Sequence, residues 1–299
     1  MELDIVRQTG RADGRERNRP ATPPVSDRPS VHAGAEARAP GGISTAGSLR
    51  TQVLQQRLLA HNEQHAAANR VRLQRSGVLA VNLLSSPGSG KTALLEALAR
   101  RQPPAPAWPQ QAVVVGDLAT EHDASRLRGA GLSAVQISTG QGCHLEASQV
   151  AAAIDRLEAG GQPLAQLDLL WIENVGNLVC PAAYDLGEAL RLVLLSVTEG
   201  EDKPLKYPSL FHTADLVLIS KLDLAEAVAF RRQEAQQAIR WVAPRAGILE
   251  ISARSGAGQE ALLHWLQHKA RSQLLRSWPG QPTPLDSPDP AVPEVAPDS

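Results

Sequence analysis

The stretch from Val78 to Arg100, VLAVNLLSSPGSGKTALLEALAR, constrains this chain more than any other. Its opening residues, Val78 to Leu84, are mostly apolar and continuous rather than alternating, which predicts a strand buried on both faces. The run breaks at Ser85-Ser86-Pro87-Gly88-Ser89-Gly90-Lys91-Thr92, after which Leu94, Leu95 and Leu98 recur at helical spacing. Strand, glycine-rich loop and helix in that order are what a phosphate-binding loop needs. Backbone N–H groups from Gly88, Ser89 and Gly90 through Ala93 wrap phosphate oxygens at a helix N-terminus, Lys91 reaches the β and γ phosphates, and the Thr92 hydroxyl serves Mg²⁺. The general pattern G-x-x-x-x-G-K-[ST] asks for Gly at position 85, where this chain has Ser85.

Length and charge narrow the partners. The 299 residues carry a formal net charge of −1, so no bulk attraction draws the chain to nucleic acid. Its two cysteines, Cys143 and Cys180, are too few for a disulfide framework, and residues 1–10 lack the apolar run of a secretory leader. No stretch is apolar for the length that a membrane helix requires. These features predict a cytoplasmic protein with reduced thiols and with neither nucleic acid nor membrane as a partner.

Residues 1–47, rich in Pro, Gly, Ala, Ser and Arg, have no hydrophobic period and predict a disordered tail; residues 277–299, Pro-rich and acidic, predict another. Between them, 48–276 reads as one domain. Ser48 to Arg75, with Leu49, Val53, Leu58, Leu59, Val71 and Leu73 among polar residues, predicts an amphipathic lead-in helix. Its His61 and His65 lie one turn apart; with no third ligand nearby they read as a solvated face. Further apolar strands are expected at 112–116, 132–137, 167–172, 190–197, 216–219 and 247–251, with helices at 119–128, 146–157, 224–242 and 259–275. This alternation predicts an α/β fold, a mostly parallel sheet flanked by helices of the P-loop NTPase type, with ligand sites beyond the carboxyl ends of the strands.

The strand ends carry a GTPase order. Glu173-Asn174-Val175-Gly176 places a carboxylate near Mg²⁺ and the Gly176 N–H near the γ-phosphate. Ser220-Lys221-Leu222-Asp223 is similar to the guanine-reading N-K-x-D, with Ser220 in place of Asn; Asp223 can accept hydrogen bonds from guanine that adenine cannot offer. Ser252-Ala253-Arg254 matches the loop that backs the base. The expected catalytic set is therefore Lys91, Asp117 and Glu173. Thr92 is the first Mg²⁺ ligand, with Asp117 or Glu173 the second, directly or through water.

Cys143 and His144 follow the third strand and Cys180 the fourth, a set that suits Ni²⁺ or Zn²⁺ as well as small buried packing residues. GDLATEHDASRLR at 116–128, STGQGCHLEA at 138–147, ENVGNLVCPAAYDLGE at 173–188 and VTEGEDKPLKYP at 197–208 closely resemble the hydrogenase nickel-incorporation GTPase family HypB, and the likeness runs from about Leu49 to Leu275. The resemblance implies a GTP-hydrolysing nickel metallochaperone of the dimeric signal-recognition-like class. It implies a homodimer, a HypA-type nickel chaperone and the [NiFe]-hydrogenase large subunit precursor as partners, and Cys143, His144 and Cys180 as Ni²⁺ (or Zn²⁺) ligands. This chain lacks the N-terminal Cys-x-x-Cys-Gly-Cys motif and the histidine-rich run that some members carry.

The urease accessory GTPase is the nearest rival family, but its Cys-Pro-His motif differs from the adjacent Cys143 and His144. A small-molecule kinase would use the same loop and give the thiols no role. Cys180 lies four residues beyond Gly176, so loss of the γ-phosphate is expected to alter one metal ligand. Leu224 and Val228, one turn apart, either form a dimer face or pack on the sheet.

Overall fold

A computed structural model describes residues 45–101, 110–117, 121–140 and 142–276, with side chains from 56 to 272; the expected tails lie outside it except for residues 45–47. The strands are β1 (Leu79–Ser85), β2 (Gln111–Asp117), β3 (Ser133–Ser138), β4 (Leu169–Glu173), β5 (Leu190–Ser196), β6 (Leu216–Ser220) and β7 (Gly247–Glu250). They form one seven-stranded sheet in the order β3-β2-β4-β1-β5-β6-β7. Every pairing is parallel, so the expected mostly parallel sheet is wholly so among the described residues.

The helices are α1 (Thr45–Arg75), α2 (Lys91–Arg100), α3 (His122–Gly129), α4 (Ala147–Ala159), two short ones, α5 (Lys203–Lys206) and α6 (Pro208–His212), then α7 (Arg232–Val242) and α8 (Gln259–Arg276). Successive residues of β1 explain its continuous apolar run. Leu79, Val81 and Leu83 pack with Leu94, Leu95 and Leu98 of α2 and with Leu262, Leu263 and Leu266 of α8. Ala80 faces the other way, into a cluster with Val150, Ile154 and Leu157 of α4. Both faces are covered, which is why no polar alternation shows in the sequence. No helix among the described residues is long and apolar enough to cross a membrane.

The chain departs from expectation in two places. The helix expected over 224–242 begins only at Arg232; before it lie a short 3-10 turn at Leu222–Leu224 and a backbone at Ala229 with φ 51°. A left-handed residue cannot continue a right-handed helix, so α7 has to start afresh. On α1, Leu58 and Val71 face solvent, whereas Asn62, Ala66, Asn69 and Leu73 form the buried stripe. The two asparagines act as struts: Asn69 Nδ2 donates to the carbonyls of Ala147 and Leu186, and Asn62 donates to the Asp185 carbonyl while accepting from the Ala147 N–H. Arg70 adds an ion pair to Asp185 at 2.6 Å.

Gly187 makes this docking possible. Its φ is +87°, and a Cβ there would lie 2.5 Å from the Ala66 carbonyl oxygen on α1. Gly187→Ala is expected to cost about 2–4 kcal/mol in urea unfolding, from backbone strain plus overlap. Gly131→Ala, at φ +94° with nothing within 4 Å, should lose only the smaller strain component.

Candidate functional site

Because the strands are parallel, their last residues share one edge: Ser85, Asp117, Ser138, Glu173, Ser196, Ser220 and Glu250. β1 lies between β4 and β5, where the chain order reverses, so its loop opens into the crevice that such sheets offer to ligands. Gly88 (φ 73°) and Gly90 (φ 98°) take the left-handed backbone that turns the chain into α2. Lys91 is buried and donates from Nζ to Ser85 Oγ at 3.0 Å. Ser85, the departure from the general pattern, is thus the partner of the lysine. Burial lowers the Lys91 pKa, against the opposing pull of Glu173, Asp123, Glu199 and Asp117.

Thr92 Oγ1 donates to Glu173 Oε1 at 2.7 Å, while Glu173 Oε2 is buried without a partner. Burial pushes the Glu173 carboxyl up to about 7, and Lys91 and Thr92 pull it back. Oxygen atoms of Thr92 and Glu173, with the Asp117 carboxylate near enough to act on Lys91, suit a hard divalent cation, and the orphaned Oε2 is the atom such a cation would satisfy. Gly176 lies against the phosphate loop, since a Cβ there would be 2.8 Å from Pro87 Cα.

On the other side of the loop a cleft of about 410 Å³ is lined by Gly90, Ala93, Lys221, Asp223, Ala253 and Arg254 among others. Ser220 Oγ donates to the Ser89 carbonyl at 2.8 Å, tying the end of β6 to the phosphate loop in the position where an Asn was expected. Asp223 Oδ1 accepts from Ser252 Oγ at 2.6 Å, and the Ser255 N–H donates to that same hydroxyl. The expected base-side residues therefore converge on one cleft.

Glu199 is a residue that sequence reasoning missed. Its two carboxylate oxygens accept from Ser86 Oγ and Ser89 Oγ, each at 2.6 Å, so it clamps the phosphate loop at its start and its middle. Nothing distinguishes it in the sequence from any acidic residue after a strand.

The thiols meet over the end of β2. The loop after β3 and the loop after β4 arch towards each other because β2 separates those two strands in the sheet. Cys143 Sγ lies 2.6 Å from Cys180 Sγ and 3.6 Å from His144 Nδ1, and both cysteines are free. One ligand atom from each of Cys143, His144 and Cys180 lies within 4.8 Å of the others. Leu145 seats this loop on β2, where a Cβ at Gly116 would come within 2.7 Å of it. The His144 ring stacks on Tyr184 with centroids 3.7 Å apart, and its Nε2 is buried without a partner. Burial lowers the His144 pKa, which favours the neutral imidazole that binds metal, whereas the Cys180 contact and burial raise the Cys143 thiol. His61 and His65 stack edge to face at 4.8 Å, and among the described residues no third ligand joins them.

Residues 79–250 match the family model "CobW/HypB/UreG, nucleotide-binding domain". Hydrogenase maturation factor HypB of Azotobacter vinelandii is 46% identical over 263 residues, covering 85% of this chain and 81% of its own. This chain is a member of the HypB family. The crystal structure of HypB from Helicobacter pylori in complex with nickel covers 71% of this chain and 95% of that one, with a TM-score of 0.67 at 45% identity. The H. pylori relative, 44% identical over 72% of this chain and 87% of its own, is named a hydrogenase/urease maturation factor HypB. HypB membership accounts for the nucleotide-binding fold; the Glu199 clamp is read from the geometry alone.

Replacing Glu199 by Ala would leave the Ser86 hydroxyl without its acceptor and the Ser89 hydroxyl with only the Ser86 carbonyl. Nucleotide affinity, followed with a fluorescent nucleoside diphosphate, is expected to fall about tenfold, as for loss of a charge-assisted pair. Tighter binding would mean instead that Glu199 chiefly repels phosphate.

Proposed function

We propose that this chain is a cytoplasmic GTP-hydrolysing nickel metallochaperone for [NiFe]-hydrogenase maturation, with a GTPase domain over residues 48–276. The observation that carries the reading is the segment Glu173–Cys180: its first residue touches Thr92 of the phosphate loop and its last touches Cys143 of the thiol pair. In this reading, nucleotide chemistry and soft-metal chemistry lie at two ends of one short piece of chain.

In this reading Asp223, held by Ser252, selects guanine, and the N–H groups of Gly88, Ser89, Gly90 and Ala93 cradle the phosphates. Lys91 neutralises charge developing between the β and γ phosphates. Thr92 and Asp117 or Glu173 would hold Mg²⁺, which would supply further positive charge there. Glu173 or Asp117 orients a water whose oxygen bonds to the γ phosphorus as the bond to the GDP oxygen breaks. Cys143, His144 and Cys180 hold Ni²⁺, with Zn²⁺ the competing ion for the same donors. Loss of the γ-phosphate from Gly176 alters the metal geometry, the association of two copies near Leu224 and Val228, or both. A HypA-type chaperone and the hydrogenase large subunit precursor are the partners for loading and delivery. The hydrogenase/urease name of the H. pylori relative supports delivery to urease as a second reading.

Two measurements test it. With no acceptor added, GTP should turn over slowly and ATP at least about tenfold more slowly, and Asp223→Ala should erase that preference. Equal use of both nucleotides by the parent protein would remove the guanine assignment. Nickel titrated into the parent protein should bind with an affinity that differs between GDP and a non-hydrolysable GTP analogue, and the Cys143→Ala, Cys180→Ala double variant should lose that binding. Undiminished binding in the double variant would place the metal elsewhere.

A further inference from the structure

Between the phosphate loop and the thiol pair lies a polar chain that neither catalysis nor metal ligation requires. Asn174 is almost wholly buried at the end of β4, in the middle of the sheet. Its backbone N–H donates to the Leu83 carbonyl of β1, two residues before the phosphate loop begins. Its side-chain Oδ1 accepts from the Val175 N–H at 2.9 Å and from the Leu145 N–H at 3.3 Å, next to His144. Its Nδ2 donates to Asn82 Oδ1, and Asn82 Nδ2 donates to Glu188. Three residues on, Asn177 Nδ2 donates to the Cys143 carbonyl at 3.2 Å while its Oδ1 accepts from the Val179 N–H at 2.8 Å.

A buried amide costs desolvation that an apolar side chain would not, so it persists where a defined geometry is needed. Both amides here hold the same thing. They fasten the segment that leaves Glu173 to the backbone of Cys143 and Leu145, on either side of His144. Cys180 is carried by the segment itself, so without the two amides only the thiols and the stacking of His144 on Tyr184 would tie its motion to the Cys143 loop. With them, a shift of Gly176 away from Pro87 pulls on the Cys143 and Leu145 backbone at the same time.

We infer that Asn174 and Asn177 are the positioning residues through which nucleotide state reaches the Cys143, His144 and Cys180 cluster. This rests on the coupling proposed above. Neither residue touches nucleotide or metal in this account; each acts through the backbone that it holds.

The test uses the full chain, free of metal and kept reduced with a phosphine. The rate of Cys180 alkylation by iodoacetamide, read by mass spectrometry, is compared with GDP and with a non-hydrolysable GTP analogue bound. The parent rates should differ by about fivefold or more, the lower range of measured couplings. In Asn174→Ala and Asn177→Ala the ratio should fall close to one while nucleotide binding is kept. Val179→Ser, on an exposed residue of the same segment, should keep the parent ratio. Asn174→Ala removes the side-chain partner of the Leu145 N–H, the Val175 N–H and Asn82 Oδ1; where that variant does not fold, Asn177, only half-buried, decides alone. A parent ratio retained in folded Asn177→Ala overturns the inference and leaves the coupling standing. A parent ratio of one overturns the coupling itself, and the inference with it.

Discussion

The Lys91 ammonium is the charge around which the crevice is arranged. Taking it out of water is expensive, and its lowered pKa records that cost. Four carboxylates, Glu173, Asp123, Glu199 and Asp117, act on it from different parts of the chain and compensate. Glu173, Glu199 and Asp123 each do a second thing as well: Glu173 takes the Thr92 hydroxyl, Glu199 takes two loop serines, and Asp123 pairs with Arg126. One cation thus sits among several anions before any ligand arrives. Such an excess of negative charge would oppose a bare triphosphate, so a divalent cation is electrostatically favoured at the same edge.

The fold was legible because burial on both faces leaves a direct imprint. Runs such as Ala112 to Val115 and Leu192 to Leu195 have no reason to be continuous unless helices cover them on either side. The phosphate loop was legible for a similar reason, since two left-handed residues, Gly88 and Gly90, must be glycine or nearly so. The face of α1 was misread because its docking uses amide hydrogen bonds from Asn62 and Asn69, and hydrophobic periodicity does not register those. The break at Ala229 was missed because alanine is an ordinary helix former that here takes φ 51°.

The site was legible where a residue type is chemically forced and illegible where pairing depends on strand order. Lys91, Thr92 and Asp223 follow from phosphate and base chemistry. Cys143 and Cys180 are 37 residues apart, and nothing in that spacing brings them together. They meet because β3 and β4 flank β2, an arrangement that only the sheet order reveals. Glu199 belongs with them: its contact with Ser86 and Ser89 spans more than a hundred residues and has no local signature.

Gly116 bears on how the two proposed ion sites stay apart. With only a hydrogen at that position, Leu145 settles directly on the end of β2 and brings His144 and Cys143 down with it. Sulfur and imidazole donors then gather on one side of β4, while the oxygens of Thr92 and Glu173 gather on the other, above β1. A borderline cation prefers the first set and a hard one the second. Under the proposed function, cargo and nucleotide counter-ion would therefore be held at once without exchanging places, a filter built from strand spacing and one missing methyl group.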